Sequence, residues 1–263
     1  MTKTILSQGN VLHYRVFGEG KPVMLVHGFG ETGEVWLGQA AVLSKTCKII
    51  VPDLPGSGAS PLIKDMSMEG MAEFLHDIIH EENIDRCTLI GHSMGGYITL
   101  AFLEKYYNHV DGWGLFHSSA KPDGEEKKAA RRKSIEFIKT HGAFEFLKST
   151  SPNLFAPKTR ENNPELVEDF LQSLSAFSGE ALIKYYEAMI ARPDRQHILR
   201  NAADPVLFVI GAFDQAIPPA DMLEQSAIPE ISYIHLLQDS AHMGMLEESK
   251  TSTDILQEFI SRD

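Results

Sequence analysis

The chain has 263 residues, 43% of them hydrophobic, which is enough to bury one large core with or without an inserted subdomain. Acidic residues number 36 against 24 lysines and arginines, and the net charge of −12 argues against binding to nucleic acid or to anionic membranes. No run of about 18 apolar residues occurs, and the N-terminus lacks a long apolar region. We therefore predict a cytoplasmic protein without a membrane span.

Apolar runs alternate with helical patterns through the first 120 residues. Runs at 5–7 and 11–16 flank Gln8-Gly9-Asn10, whose glycine and asparagine tolerate the positive φ of a hairpin turn. The later runs are typical of buried parallel strands, and they cover residues 22–26, 48–51, 87–90 and 111–116. Helical spacing of apolar residues lies between the runs, as at 71–79. The alternation predicts a mostly parallel sheet.

The alternation stops between residues 121 and 203, where no convincing strand occurs. Helical stretches are predicted at 125–140, 164–176 and 179–191, strands resume at 205–211 and 231–237, and an amphipathic helix near 253–260 ends the chain. We predict a core built from residues 1–120 and 204–263, with an all-helical insertion at 121–203.

The first helix of the insertion is densely charged. Its charged residues are Glu125, Glu126, Lys127, Lys128, Arg131, Arg132 and Lys133. We interpret this cluster as a solvated outer face and assign it no role in catalysis or in binding an anionic substrate.

A G-x-S-x-G motif, Gly91-His92-Ser93-Met94-Gly95, lies between a predicted buried strand and a helical pattern. A serine at the tip of such a strand-to-helix turn is held in a strained backbone conformation, and the flanking glycines let strand and helix approach each other. The turn lifts the hydroxyl out of the fold. The motif predicts that Ser93 is a nucleophile.

Further motifs span nearly the whole chain in one order: Val26-His27-Gly28-Phe29-Gly30, Asp53-Leu54-Pro55-Gly56-Ser57-Gly58, Gly211-Ala212-Phe213-Asp214 and Ser240-Ala241-His242-Met243. With the serine motif, they resemble the α/β-hydrolase family, in the capped serine hydrolase branch that holds carboxylesterases, lactonases and C–C bond hydrolases. The resemblance implies a mostly parallel eight-stranded sheet flanked by helices. It also implies that the helical insertion is a cap, which must cover the site because both of its ends emerge at the sheet edge that carries the serine.

A serine hydroxyl needs a base within reach, and the base needs a third group that fixes its tautomer. The resemblance assigns these roles to His242 and Asp214, which follow Ser93 in the family's order. Asp239 is a competing acid because it lies close to His242 in sequence. The resemblance also places the backbone N–H groups of Phe29 and Met94 in the oxyanion hole.

Three other polar residues of these motifs are interpreted as structural. His27 is expected to brace its loop, His92 to pack or to form part of the pocket wall, and Asp53 to stabilise a turn.

A serine at the nucleophile position limits the reactions that this chain could catalyse. Haloalkane dehalogenases and epoxide hydrolases of this superfamily use aspartate at that position, so Ser93 favours acyl transfer to water, which requires neither an organic cofactor nor a metal. No C-x-x-C or H-E-x-x-H spacing occurs, and we predict no metal site. The candidate pocket residues are apolar or aromatic and predict a small to medium, largely uncharged ester; they are Trp36, Tyr97, Phe213 and Met243, beside Phe29 and Met94.

Two alternatives to a carboxylesterase stay open. A lactonase or C–C bond hydrolase would use the same triad, and a ligand-sensing protein of this fold could keep the triad as a receptor. Gly95-Gly96 after the serine favours the hydrolytic branch. The partner is expected to be a small ester-like molecule and the protein a monomer or a homodimer. Cavity-facing aromatic residues of the cap are expected to set the preferred acyl length.

Overall fold

The computed structural model describes residues 1–262, and its strands form one eight-stranded sheet. The strands are β1 (Thr2–Ser7), β2 (Asn10–Phe17), β3 (Lys21–Val26), β4 (Cys47–Pro52), β5 (Cys87–His92), β6 (Val110–Phe116), β7 (Val206–Gly211) and β8 (Ser232–Leu237). Their spatial order is β1-β2-β4-β3-β5-β6-β7-β8. The pairs formed by β1 with β2 and by β2 with β4 are antiparallel, and all later pairs are parallel. The predicted fold class is confirmed.

The apolar runs of the sequence correspond to the central strands. Every residue of β5 and β7 is buried, because helices cover both faces of a parallel sheet. The opening hairpin turns at Gln8 and Gly9, whose φ angles are +46° and +81°. A left-handed turn of this kind joins two antiparallel strands with little strain when glycine takes part.

The helices around the sheet include α1 (Leu37–Leu43), α2 (Met68–Glu81), α3 (Met94–Tyr106), α10 (Pro219–Ser226), α11 (Gly244–Glu247) and α12 (Ser249–Ile260). Short 3-10 helices precede α1 at Gly33–Trp36 and follow α3 at Tyr107–His109. The helix α3 begins directly after β5, so the serine motif forms the strand-to-helix turn that its glycines predict. Within residues 1–262, no helix combines the length and the apolar character that a bilayer span requires.

The chain between β6 and β7 is helical. It contains α4 (Glu125–His141), α5 (Ala143–Thr150), a 3-10 helix at Ser151–Leu154, α6 (Pro157–Asn162), α7 (Pro164–Ser173), α8 (Gly179–Ala191) and α9 (Gln196–Arg200). We call these elements the cap. Its apolar side chains, such as those of Phe155 and Phe170 with ring centroids 5.5 Å apart, pack against one another and against the core. Its treatment as a separate subdomain, with limits at 121 and 203, stays a prediction.

Candidate active site

Ser93 occupies the turn between β5 and α3 with φ +51° and ψ −116°. A residue with a side chain reaches this region only under strain, which costs about 1–3 kcal/mol and must be imposed by the surroundings. The flanking glycines impose it by close approach. A Cβ on Gly91 would lie 2.4 Å from the carbonyl oxygen of Gly95, and a Cβ on Gly95 would lie 2.5 Å from that of His27. The strand, turn and helix therefore hold the hydroxyl at the carboxyl edge of the sheet.

His242 and Asp214 meet at the same edge. The Nδ1 atom of His242 lies 2.7 Å from Oδ2 of Asp214, and both side chains are buried. The other carboxylate oxygen of Asp214 accepts hydrogen bonds from the backbone N–H groups of Ala216 (2.8 Å) and Ile217 (2.9 Å). The carboxylate can only accept, so Nδ1 carries the proton and Nε2 is left with the lone pair that a general base needs.

Burial and the neighbouring charges shift the pKa values of Asp214 and His242 in opposite directions. Burial alone would raise the pKa of Asp214, but the rings of His242 and His117 hold the pKa of this carboxyl well below its usual range. Burial alone would lower the pKa of His242, but the Asp214 carboxylate raises it above the ordinary histidine value. Asp214 is therefore ionised when His242 is neutral, and its charge is placed to stabilise an imidazolium.

The structure places the competing acid elsewhere. Asp239 is exposed, and its carboxylate lies 2.9 Å from Nζ of Lys158. The acid that His242 contacts through Nδ1 is Asp214.

His117 was not recognised from the sequence, although it follows β6 directly at the same sheet edge. Its φ is +48°, its side chain is fully buried, and its Nδ1 lies 3.5 Å from Oδ2 of Asp214. Burial lowers the pKa of His117 to about 4, so the ring is neutral at pH 7. Neither ring nitrogen has a well-formed hydrogen bond within the described chain. A histidine immediately after a buried strand was the available signal.

Two backbone N–H groups near the serine turn lack acceptors among the described residues: that of Phe29, in the loop after β3, and that of Met94, at the start of α3. Met94 opens α3, so its N–H has no acceptor inside the helix, and among the hydrogen bonds of residues 1–262 neither Met94 nor Phe29 donates through its backbone N–H. His27 braces this loop, because its Nε2 accepts the backbone N–H of Leu54 at 2.9 Å. Asp53 anchors Gly33 in the same way, with its Oδ1 2.9 Å from that backbone nitrogen.

A buried Glu31–His92 pair supports the same loop. One carboxylate oxygen of Glu31 accepts the N–H of Gly28 at 2.8 Å and lies 3.0 Å from Nδ1 of His92. The other ring nitrogen of His92 lies 2.9 Å from the carbonyl oxygen of His242, which can only accept, so that nitrogen carries a proton. Burial alone would raise the pKa of Glu31, but the His92 ring and the N–H of Gly28 lower it below its ordinary value, so this buried carboxyl is ionised at pH 7.

Ser93 and His242 line a cavity of about 160 Å³ beneath the cap. The remaining lining residues are Phe29, Glu31, Tyr97, Lys127, Arg131, Leu154, Tyr186, Met189, Ala216 and Ile217. No hydrogen bond joins Ser93 Oγ to His242 Nε2 among residues 1–262; catalytic bonds of this kind commonly close only around substrate. A larger recess of about 510 Å³ between Gly56–Leu62 and the cap contains none of the three predicted catalytic residues.

Three of the four candidate pocket residues do not line this cavity, and Tyr97 alone does so in the described chain. Trp36 is fully buried against Phe116, with ring centroids 5.2 Å apart, and Met243 is fully buried in the core. Phe213 is 49% exposed, because the turn that positions Asp214 directs the preceding residue outward. Proximity in sequence to a catalytic residue was a poor guide to side-chain direction.

The interpretation of the charged cap helix is also wrong at two positions. Lys127 and Arg131 line the catalytic cavity and are partly buried, whereas Glu125, Glu126, Arg132 and Lys133 are exposed as expected. Among the aromatic residues of the cap, Tyr186 is the one that lines the cavity in residues 1–262, and it stacks on Phe29 with ring centroids 4.3 Å apart.

Comparisons with known proteins agree with this fold. A model of the α/β-hydrolase fold matches residues 21–123. A thermophilic esterase from Thermogutta terrifontis, solved with malate bound, has a TM-score of 0.92 and 30% identity over 98% of this chain and 97% of its own. The enol-lactonase from Burkholderia xenovorans LB400 has a TM-score of 0.91 and 22% identity over 99% and 100%. 3-Oxoadipate enol-lactonase 1 of Acinetobacter baylyi is 23% identical over 96% of this chain and 94% of its own.

Proposed function

This chain belongs to the α/β-hydrolase family, and we propose that it is a serine hydrolase that cleaves small carboxylic esters through an acyl-enzyme on Ser93. The observation that carries the proposal is the His242–Asp214 contact of 2.7 Å at the cavity that Ser93 also lines. The strained turn at Ser93 adds support, because strain of this kind persists where the surroundings maintain a functional geometry.

In the first half of the reaction, His242 Nε2 takes the proton of Ser93 as Oγ attacks the ester carbonyl. The carbonyl oxygen becomes an oxyanion, which the N–H groups of Phe29 and Met94 stabilise. Each such donor contributes about 3 kcal/mol to lowering the barrier in comparable hydrolases. The tetrahedral intermediate then collapses, the bond to the alcohol oxygen breaks, and His242 gives its proton to the leaving alcohol.

In the second half, water replaces the alcohol. His242 takes a proton from the water, the hydroxide adds to the acyl carbon, and the bond to Ser93 Oγ breaks as that oxygen regains a proton. The same steps open a lactone, in which the leaving alcohol stays attached to the acyl chain. Throughout, Asp214 holds the imidazole in the required tautomer, and the chemistry needs no group beyond those of the chain and water.

The test is to replace Ser93 by alanine. We expect kcat for short p-nitrophenyl esters to fall by at least about 10³-fold, while the thermal unfolding midpoint changes little because the hydroxyl makes no hydrogen bond within residues 1–262. A serine-directed phosphonate should add one adduct, located at Ser93 by peptide mass spectrometry. Ser175→Ala, at an exposed serine of the cap, is the matched control and should retain full activity.

Two results would overturn the assignment: full activity in Ser93→Ala, or labelling at another serine. The panel should include lactones beside the esters. Labelling of Ser93 without multiple turnover on any substrate would favour the ligand-sensing alternative, because an enzyme of this class typically turns over at about 1–10³ per second.

A further inference from the structure

Two cationic side chains line the catalytic cavity from the cap. Lys127 and Arg131 are four residues apart on α4, so they project from the same face of that helix. Lys127 is half-buried, and the Arg131 side chain is 13% exposed. Withdrawing a charge from water is costly unless an opposite charge compensates it. The charges around the cavity therefore indicate what it can accept.

Lys127 has no acidic partner in the described chain. Its Nζ donates a hydrogen bond to the carbonyl oxygen of Ala216 at 2.8 Å, and this loop also provides the N–H groups that hold Asp214. A carbonyl oxygen engages one of the three ammonium donors and cancels none of the charge. Two donors and a full positive charge remain available at the cavity wall.

Among the described residues, Arg131 shares its one acidic partner, the Asp123 carboxylate, with Arg192. Its Nε lies 2.5 Å from Oδ2 of Asp123 and its Nη2 lies 3.4 Å from Oδ1, and Nη2 of Arg192 lies 3.0 Å from the same Oδ1. One carboxylate thus serves two guanidinium groups, and one positive charge is left over. The Nη1 atom of Arg131 donates no hydrogen bond within residues 1–262, and the guanidinium lies 5.4 Å from the ring centroid of Tyr186, another lining residue.

Neither of the two acidic groups near the cavity, Glu31 and Asp214, forms an ion pair with Lys127 or Arg131 in the described chain. Glu31 also lines the wall, but its carboxylate is held on the sheet side of the cavity, where one oxygen accepts the N–H of Gly28 at 2.8 Å and lies 3.0 Å from Nδ1 of His92. The Asp214 carboxylate is fully buried behind His242, where its oxygens accept hydrogen bonds from that ring and from two backbone N–H groups. The cap side of the cavity is therefore positive, in a chain whose net charge is −12.

Building on the serine hydrolase function proposed above, we propose that the substrate is an ester or lactone that carries a second, ionised carboxylate, bound by Lys127 and Arg131 while Ser93 attacks. Hydrogen bonds between a carboxylate and ammonium or guanidinium donors are among the stronger polar contacts in proteins. The cavity of about 160 Å³ holds roughly five water volumes, so the two carboxyl groups are separated by a short chain. This replaces the largely uncharged ester that the apolar residues near the motifs predict.

The first experiment compares substrates that differ in one carboxylate. Mono-p-nitrophenyl succinate is paired with p-nitrophenyl butyrate for a charge on the acyl side, and 4-carboxyphenyl butyrate with phenyl butyrate for a charge on the alcohol side. In one of the two pairs we expect kcat/KM to favour the anionic ester by about tenfold at low salt. The preference should shrink as ionic strength rises, because salt screens charge contacts that are not fully buried.

The second experiment replaces the two cationic residues that line the cavity. Lys127→Met should lower the anionic-to-neutral ratio of kcat/KM about tenfold, and Arg131→Gln should lower it in the same direction. Lys133→Met is the matched control, because Lys133 is an exposed lysine of the same helix and its loss changes the net charge equally. The control should keep the wild-type ratio. A purely structural role for Lys127 would reduce both members of each pair alike and leave the ratio unchanged.

A binding measurement separates this inference from the proposed function. Calorimetric titration of succinate into Ser93→Ala needs no turnover, and adding Lys127→Met should weaken the binding about tenfold, whereas adding Lys133→Met should not. If neutral esters are hydrolysed but neither substrate pair shows an anionic preference, the carboxylate site is refuted and the hydrolase function stands. If succinate binds as expected but no ester or lactone is cleaved and Ser93 is not labelled, the hydrolase function fails and the anion site stands.

Discussion

The cavity has a floor and a roof that are built in different ways. The floor consists of Ser93, His242 and Phe29, which lie in loops at the carboxyl edge of the sheet. The roof consists of side chains from the cap, namely Lys127, Arg131, Leu154, Tyr186 and Met189. Backbone geometry positions the floor, through a strained turn and close glycine contacts. The roof side chains are positioned by the faces that the cap helices turn toward the cavity. In the function proposed above, the floor defines the reaction, and the roof defines which substrates reach it.

Replacing Asp214, the proposed acid of the triad, is the strongest test of how the floor works. Asp214→Asn should lower kcat by roughly 10³–10⁴-fold, because an amide in this place favours the wrong tautomer of His242. Asp239→Asn is the control and should be nearly silent, since its carboxylate pairs with Lys158 at the surface. Activity on short esters of both variants is the measurement.

The pH dependence of kcat/KM sharpens the same test. His242 acts as a base when it is neutral, so activity falls as pH drops through its pKa, and the Asp214 carboxylate raises that pKa. Removing the negative charge should move the acidic limb of the residual activity to lower pH. A limb that stays in place in Asp214→Asn, or a large loss in Asp239→Asn, would contradict the assignment.

The sequence predicted the floor better than the roof for a physical reason. A nucleophile turn demands glycines at fixed positions, and parallel strands demand continuous apolar runs, so Gly91, Gly95 and the strands can be recognised locally. The side-chain direction of a cap residue depends on which helix face meets the core. Lys127 and Lys133 are both charged residues of α4, yet one lines the cavity and the other faces solvent.

Some helices were also missed. The elements α5, α6 and α9 contain five to eight residues, which is too short for a helical period to be distinguished in the sequence. Packing against neighbouring elements stabilises such short helices, because isolated helices of this length are marginal in water. Packing also decides the position of a single side chain. The sequence position of Trp36 after the Phe29 loop suggested that it lines the substrate pocket, but the fold buries it against Phe116.

Glu247 connects floor and roof, and its replacement should have an intermediate effect. One carboxylate oxygen accepts hydrogen bonds from the cap, from the N–H of Ala156 and the hydroxyl of Thr159, both at 2.7 Å. The other accepts the N–H groups of Ala241 (2.9 Å) and Met243 (3.3 Å), on either side of the catalytic histidine. In Glu247→Gln, an amide nitrogen would face backbone donors at one of these two places. We expect kcat to fall about tenfold through misplacement of the histidine.

The control for this prediction is Glu258→Gln, at an exposed glutamate of α12 that should tolerate the change. Glu247 makes no hydrogen bond to the imidazole ring within residues 1–262, so the acidic limb of the pH profile should stay where it is while kcat falls. A fall in kcat that is fully explained by a lower unfolding midpoint, or an unchanged kcat in a folded variant, would show that the connection between cap and histidine loop does not position the base.

The smallest expected effect concerns the roof alone. Met189 lines the cavity from α8, is almost fully buried, and has no charged group, so Met189→Ala should enlarge the cavity without altering the triad. We expect the ranking of acyl lengths to shift toward longer chains by about fivefold, because one added or removed methylene in an apolar pocket changes selectivity by at least about 1 kcal/mol. Met189→Leu keeps the volume and should keep the ranking. Phe170→Leu, in cap packing against Phe155 and away from the cavity, controls for loosening of the cap.

The measurement is kcat/KM over esters of two to eight acyl carbons, with the acidic limb of the pH profile expected to be the same in all variants. A uniform loss across the series in Met189→Ala, with the ranking intact, would mean that the roof only braces the site and that selectivity for acyl length lies in the floor.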